Sequence, residues 1–117
     1  MNPEELKART RQFALRVIHL AESMPRGRTT DVLSRQLLRS ATSVGANYRA
    51  ACRARSRADF ISKVTVAEEE ADESLYWLES ISDSETIKAD RLAGLINEAN
   101  ELTAILTAAG KTARRNK

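Results

Sequence analysis

Apolar residues recur at three- and four-residue spacing through almost all of the 117 residues, which is the period of an α-helix and not of a β-strand. The only two prolines, Pro3 and Pro25, stand where a helix would begin or end. Short polar connections divide the pattern into four segments. Four amphipathic helices joined in this way predict an all-α protein, an antiparallel up-down-up-down four-helix bundle.

Capping signals fix the starts of two helices. Asn2 followed by Pro3 and Glu5 has the order of a capping box, and Ser56 followed by Asp59 has the same spacing. The remaining bounds follow from the apolar period. The first helix is predicted to end before Pro25, the second to run from Thr30 or Asp31 to Ala54, the third from Ser56 to Ile81, and the fourth from Asp90 to Ala109.

The chain has the size of one domain, and we expect residues 1–110 to form it. Gly110 is the predicted end of the last helix, and residues 111–117 are predicted to form a basic tail.

Few aromatic residues are available for the core, since they make up 4% of the chain. The second helix contains a run of small residues around Gly45, and a glycine inside a helix costs about 1 kcal/mol relative to alanine. Its presence indicates close approach by a neighbouring helix, and the gap left by small residues predicts a large ring there, from Phe13, Tyr48 or Trp77.

Two apolar side chains of the first helix, Leu15 and Ile18, fall outside its apolar stripe. They are either ordinary exposed residues or a second surface that contacts another subunit.

Charge is segregated along the chain. Residues 1–57 hold 12 Lys and Arg against 4 Asp and Glu, whereas residues 58–110 hold 3 against 12, and the whole chain carries a net charge of +3. This pattern is typical of a basic helix packed beside an acidic one, and it also permits a basic face for phosphates.

Four arginines of the second helix lie in one narrow sector opposite its apolar stripe, at about 100° per residue. Guanidinium groups at helical spacing are suited to phosphates, and such binding weakens steeply with salt. The candidate nucleic-acid-binding residues are therefore Arg35, Arg39, Arg49 and Arg53, with Arg55 and Arg57 following them.

The same arginines could instead pair with carboxylates of an adjacent subunit, in which case the target would be a protein. The carboxylates available for this pairing are Glu69, Asp72, Glu73 and Glu79. Glu70 is expected to be partly buried and to need a partner, either Arg39 or Arg49 across the hairpin or an arginine of another subunit.

No catalytic constellation is predicted. His19 is the only histidine and Cys52 the only thiol, and Cys52 continues the apolar stripe of the second helix, so a structural role is favoured for both. Glu69 and Glu73 are one turn apart and could share a hard cation, but a solvated or salt-bridged face is the preferred interpretation. We expect no enzyme activity, no metal and no cofactor.

The lone cysteine favours a reducing compartment, and the charged N-terminus lacks the apolar run of a signal peptide. With no segment long enough to span a bilayer, the expected location is the cytoplasm, without membrane association.

Three ordered motifs resemble a known family. Residues 36–49 (QLLRSATSVGANYR), 56–63 (SRADFISK) and 70–78 (EADESLYWL) are similar to the bacterial four helix bundle protein family, also called 23S rRNA-intervening sequence proteins. The similarity covers roughly residues 6 to 113. The family motif continues after Arg49 with Glu, whereas this chain has Ala50.

The resemblance implies a cyclic homopentamer without enzymatic activity. Relatives include the accessory variability determinant of diversity-generating retroelements, which binds nucleic acid and a reverse transcriptase. The implied partners are other copies of the chain, RNA or DNA, and a nucleic-acid enzyme. The positions that the family usually keeps, implied to be structural or interface residues, are Asn47, Arg49, Glu70, Glu73 and Trp77.

Overall fold

The computed structural model describes residues 1–116, and within them it contains four α-helices and no β-strand. These four helices pack into an elongated molecule of 49 × 20 × 19 Å. The prediction of an all-α chain of four packed helices is confirmed. The helices are α1 (Pro3–Ser23), α2 (Arg28–Cys52), α3 (Arg57–Asp83) and α4 (Ala89–Arg115).

Neighbouring helices run antiparallel. The end of α1 contacts the start of α4, where Arg91 Nη2 donates to Ser23 Oγ at 2.8 Å, and the start of α1 contacts a later part of α4, where Arg9 Nε donates to Glu98 at 2.7 Å. Short connections reverse the chain between successive helices, as predicted. One end of the bundle therefore carries the starts of α1 and α3 and the ends of α2 and α4.

Both predicted N-caps are confirmed. Asn2 Oδ1 accepts a hydrogen bond from the Glu5 backbone N–H at 2.8 Å, and the Glu5 side chain returns a bond to the Asn2 N–H. Ser56 Oγ accepts from the Asp59 N–H at 3.1 Å. These bonds satisfy backbone donors that a helix start leaves unpaired.

The core is aliphatic, with one fully buried aromatic ring. Phe13 is 1% exposed, and of the other two predicted rings Tyr48 is also buried whereas Trp77 is half-buried. Each helix keeps a polar outer side, and none in the described part of the chain is long and apolar enough to cross a membrane. The largest fully buried aliphatic side chains are Leu37, Leu78, Ile81, Leu92, Leu102 and Leu106.

The predicted bounds of α2 are wrong by about two residues, since the helix begins at Arg28 and ends at Cys52. Cys52 is exposed, which contradicts its predicted place on the buried stripe, and Ala51 is the residue buried there. The reason is rotation around the helix: Ala51 and Cys52 follow the buried Tyr48 by three and four residues and lie about 100° apart, and it is Ala51 that faces the core. In contrast, α3 extends to Asp83, past its predicted end at Ile81.

Gly110 does not end α4, which continues to Arg115. The predicted boundary between a domain ending at residue 110 and a tail is therefore wrong for residues 111–115, which are helical; Lys117 lies outside the described residues. Gly110 is buried against α3, and a Cβ there would lie 3.4 Å from Val64 Cγ1. The glycine thus serves close packing of two helices.

Gly45 also marks a close approach, as predicted, and the neighbour is α1. A Cβ at this position would lie 3.4 Å from Thr10 Oγ1 and 3.5 Å from the Thr10 carbonyl group. Replacing Gly45 by leucine should push α1 away from α2 and lower the free energy of unfolding by about 2 kcal/mol.

The control for Gly45→Leu is Gly94→Ala, because a Cβ at Gly94 would meet only the flexible end of Arg16. Gly94→Ala should raise the free energy of unfolding by about 0.5–1 kcal/mol through helix propensity. Urea unfolding measures both values. A Gly45→Leu variant as stable as the wild type would show that α1 and α2 are not held at this spacing.

Candidate nucleic-acid interface

Three of the four candidate arginines, Arg35, Arg39 and Arg49, lie on the exposed side of α2, as their spacing predicts, and Arg53 is exposed directly after the last residue of the helix. Arg35 and Arg53 are separated by 18 residues, which corresponds to about 27 Å along a helix. The stripe is therefore not one compact patch, and its members have different surroundings.

Arg39 is bound within the chain. Its guanidinium lies 3.2 Å from Glu70 Oε2 and also donates to Glu73, whose carboxylate accepts a bond from Trp77 Nε1 at 3.0 Å. The Glu70 side chain is only 15% exposed. The prediction that Glu70 has an arginine partner across the hairpin is confirmed, with Arg39 in that role and not Arg49. Arg39 therefore ties α2 to α3.

Replacing Arg39 by alanine should lower the free energy of unfolding by about 1 kcal/mol, because it leaves the largely buried Glu70 carboxylate without its ion pair. Arg35→Ala is the matched control, one turn away on the same helix, and its effect should stay within about 0.5 kcal/mol. Urea unfolding at one protein concentration measures both. Equal effects of the two substitutions would contradict this role for Arg39.

The end of α4 is held against the first part of α3. The Arg57 guanidinium donates to the backbone carbonyl of Asn116, and Arg114 Nη2 donates to Thr65 Oγ1 at 3.1 Å. These contacts bring the last turn of α4 beside the connection between α2 and α3. Arginines that are far apart in sequence thus share one end of the bundle.

We call this group the basic end. Within residues 1–116 none of its members forms a salt bridge to a carboxylate, and all of them are exposed. The carboxyl ends of α2 and α4 carry partial negative charge, which favours cationic side chains there. The basic end consists of Arg53, Arg55, Arg57, Arg114 and Arg115.

The acidic side chains at this end are held by local partners. The ammonium of Lys7 lies 2.8 Å from Glu4, and that of Lys63 lies 2.9 Å from Asp59. The bond from Lys63, with a second from the Arg55 backbone N–H, holds the pKa of Asp59 below its usual range. Glu5 completes the N-cap of α1. These acids therefore do little to neutralise the basic end.

A groove of about 450 Å³ runs between α1 and α2 on the outside of the bundle. Leu15 and Ile18, the two residues outside the predicted stripe, are half-buried in its wall. Its cationic lining residues, Lys7 and Arg11 of α1 and Arg49 of α2, lie toward the start of α1 and the end of α2. The lining is completed by Lys7, Arg11, Ala14, Thr42, Gly45, Ala46 and Arg49.

Asn47 is bonded within its own helix, where Nδ2 donates to the Ser43 carbonyl at 2.9 Å and to Ser43 Oγ at 2.8 Å. Of the five positions implied by the resemblance, Glu70, Glu73 and Trp77 thus form one network with Arg39. Arg49 stands apart at the rim of the groove.

An ion cluster between α1 and α4 is not predicted from the sequence. Arg9 Nη2 lies 2.7 Å from Glu98 and 2.9 Å from Glu101. The bonds to Glu98 and Glu101 raise the pKa of Arg9, and the bond from Arg9 lowers the pKa of Glu101. The available signal was a pair of carboxylates three residues apart on the polar side of α4, but spacing alone does not identify the facing helix.

The structure separates the two groups of a possible Cys-His pair. Thr10 lies beside Gly45, which places His19 on one side of this level and Cys52 on the other, about 24 Å apart along the axis. In the described part of the chain, no three His, Cys, Asp or Glu side chains converge on a point where a metal ion could bind.

Comparison with known proteins reveals one family and a similar fold. The family model described as 23S rRNA-intervening sequence protein matches residues 5–108. A crystal structure of a protein of unknown function from the S23 ribosomal protein family of Bacteroides thetaiotaomicron is similar, with a TM-score of 0.87 and 37% sequence identity. The match covers 95% of this chain and 99% of that one. No curated protein matches.

Proposed function

The chain belongs to the 23S rRNA-intervening sequence protein family, and from this premise we propose that it is a non-enzymatic, homo-oligomeric adaptor that binds the phosphate backbone of RNA or DNA. It works in the cytoplasm, and its assembled form, a cyclic homopentamer, presents bound nucleic acid to a nucleic-acid enzyme. The family supplies the fold, whereas the proposed activity comes from the surface of this chain.

The observation that carries the proposal is the basic end. Five exposed arginines from two separate segments share one end of the bundle, and among the described residues none of the five forms a salt bridge to a carboxylate. Guanidinium groups form bidentate bonds with phosphate oxygens and stay charged at any physiological pH. Arg49 and Arg35 extend the positive charge along α2, whereas Arg39 is occupied by α3.

Binding should depend on phosphates and be largely indifferent to base sequence. Specific reading of single-stranded bases uses exposed aromatic side chains as stacking platforms. Near the basic end Tyr48 is buried, with its pKa raised by burial and by the neighbouring Cys52. The site therefore offers cations and few stacking surfaces.

The experiment that tests the proposal is fluorescence anisotropy with a labelled RNA hairpin, titrated at several salt concentrations. If all five arginines of one basic end contact phosphates, the slope of log K against log salt should be about −4. An unrelated hairpin of equal length should bind within a few-fold. No binding at about 50 mM salt, or binding that does not weaken at about 200 mM, contradicts the proposal.

The rival candidate is a structural interaction protein that binds a protein partner, with the arginines in salt bridges between subunits. The exposed carboxylates of α3, Glu69 and Asp72, are the observation that favours it. It predicts that RNA has no effect in the same titration and that charge reversal at Arg53 and Arg55, which lie outside the groove, dissociates the oligomer. The two candidates thus differ in two measurable outcomes.

A further inference from the structure

The outer side of α3 carries a surface that its own chain leaves uncovered. Val66 is 37% exposed and Tyr76 is 60% exposed, two of the four large apolar side chains that are exposed in the described residues. Exposed acids, Glu69 and Asp72, lie between them. We call Val66, Glu69, Asp72 and Tyr76 the α3 ridge.

The groove between α1 and α2 is complementary to this ridge in chemistry. One half of the groove is cationic, with Arg11 and Arg49, and neither forms a salt bridge within residues 1–116. The other half is lined by Leu15 and Ile18. The groove volume of about 450 Å³ equals that of roughly 15 water molecules at about 30 Å³ each, which is room for inserted side chains.

Two contacts fix the heights of these surfaces along the bundle axis. Ser40 of α2 is level with Ser74 of α3, since their hydroxyls are 3.0 Å apart. Gly45 lies five residues farther along α2, so it is level with about residue 69 of the antiparallel α3. Because Gly45 packs on Thr10, the level of Thr10 on α1 is also that of Glu69.

Residues counted from this level along each helix show that the parts of the groove and the parts of the ridge follow one another in the same order along the bundle axis. Arg11 lies about 1.5 Å above the level of Glu69, and Ile18 and Tyr76 are within about 2 Å of each other in height. Along the axis, the acidic part of the ridge is therefore level with the cationic part of the groove. The exposed tyrosine is likewise level with the apolar part.

We infer that the groove of one copy receives the α3 ridge of the next copy. Glu69 pairs with Arg11 and Arg49 across this contact, and Tyr76 packs against Leu15 and Ile18. The two surfaces are different patches of the same chain, so the contact is heterologous, and it closes into a ring if the rotation between copies allows it. In a ring whose axis is parallel to the bundle axis, neighbouring copies are not shifted along that axis. Groove residues of one copy therefore face the ridge residues of the next copy that lie at the same height.

The arrangement also places the basic ends. In such a ring the same end of every bundle faces the same way, so all the basic ends line one face and bind one nucleic acid multivalently. This inference rests on the proposed self-assembly, and it assigns Arg49 to the subunit contact. Arg53 and Arg55 lie beyond the groove and stay free for phosphate.

Cross-linking tests the contact. In a Cys52→Ser chain, Ile18→Cys combined with Tyr76→Cys should form disulfides between copies and give a ladder beyond the dimer on a non-reducing gel. A link within one chain is not expected, because in the described residues no Cα atom of α1 lies within 8 Å of a Cα atom of α3, and a disulfide needs Cα atoms closer than about 7 Å. The control variant, Val32→Cys with Tyr76→Cys in the same chain, should give no ladder beyond the dimer, because Val32 does not line the groove. A ladder equal to the control overturns the inference.

Mixing two defective chains gives a second test without nucleic acid. Arg11→Glu with Arg49→Glu disables the groove, and Glu69→Ala with Tyr76→Ala disables the ridge without creating a charge that could pair with the altered groove; each variant should be monomeric with unchanged helix content by circular dichroism. Mixed at high concentration, they should form a 1:1 dimer of twice 13.0 kDa through the one intact groove and ridge. Two variants that remain oligomeric alone, or that stay monomeric when mixed, overturn the contact.

The readout of both tests is the mass of the protein alone, so they are independent of the nucleic-acid proposal. Failure of RNA binding with a normal ladder would reject the adaptor function and keep the contact.

Discussion

Reversing both Arg53 and Arg55 to glutamate should weaken binding to an RNA hairpin at least about a hundredfold at roughly 50 mM salt. Two charge-assisted bonds to phosphate are lost, each contributing about 1.5–3 kcal/mol, and repulsion is added. The slope of log K against log salt should also become shallower, from about −4 to about −2. Anisotropy titration at several salt concentrations measures both quantities.

The matched control is Arg26→Glu with Arg28→Glu, two arginines with the same spacing at the opposite end of the bundle. Arg26 lies in the connection between α1 and α2, and Arg28 is the first residue of α2. Net charge changes equally in the two variants. The control should keep its affinity within a few-fold if contact at the basic end determines binding. Equal losses in both variants would mean that overall charge, and not the basic end, attracts the nucleic acid.

Replacing Phe13 by alanine should lower the free energy of unfolding by about 3–5 kcal/mol, the largest stability effect that we expect from a single substitution. Phe13 is 1% exposed, and its removal leaves a cavity that the packed helices fill only in part. Domains of this kind have about 5–15 kcal/mol in total, so the variant should be close to unfolding. Urea unfolding followed by circular dichroism gives the value.

Val32→Ala is the control for this substitution, because Val32 is 47% exposed on α2 and its truncation should cost no more than about 0.5 kcal/mol. Both proteins must be compared at one concentration, since assembly would add stability. A loss below about 1 kcal/mol for Phe13→Ala would show that this ring is not enclosed by the core.

The sequence was sufficient for features set by short-range spacing. The N-caps at Asn2 and Ser56 need only a residue and its neighbour three positions later, and the structure forms both. The buried and exposed sides of each helix follow from its period, which placed the arginines of α2 outside. Gly45 predicts close approach by a neighbouring helix, because a glycine inside a helix otherwise only lowers its stability.

Helix ends could not be predicted to the residue. Cys52 has the period of the buried stripe, but Ala51, about 100° away around the last turn of α2, faces the core in its place. Gly110 resembles a terminating glycine, yet α3 packs so closely there that the helix continues through it. In both cases the outcome depends on the neighbouring helix.

The candidate site depended on tertiary contacts in the same way. The period of α2 places Arg35 and Arg39 on the same side of the helix. Arg39 forms ion pairs with α3, whereas Arg35 forms no salt bridge among the described residues. The sequence predicts a tail for Arg114 and Arg115, and only the antiparallel packing of α4 on α3 brings them to the end of the bundle that carries Arg53 and Arg55. The bonds of Arg9 to α4 likewise required knowledge of which helices are neighbours.

The central claim is that copies of this chain assemble and that the assembly binds nucleic acid. Light scattering after size exclusion, with and without a structured RNA at low and moderate salt, tests both parts in one experiment. We expect a mass of about five chains for the protein alone, a larger complex with RNA at low salt, and release of an intact oligomer at moderate salt. A monomer at every concentration, or an oligomer whose mass does not change with RNA, would contradict it.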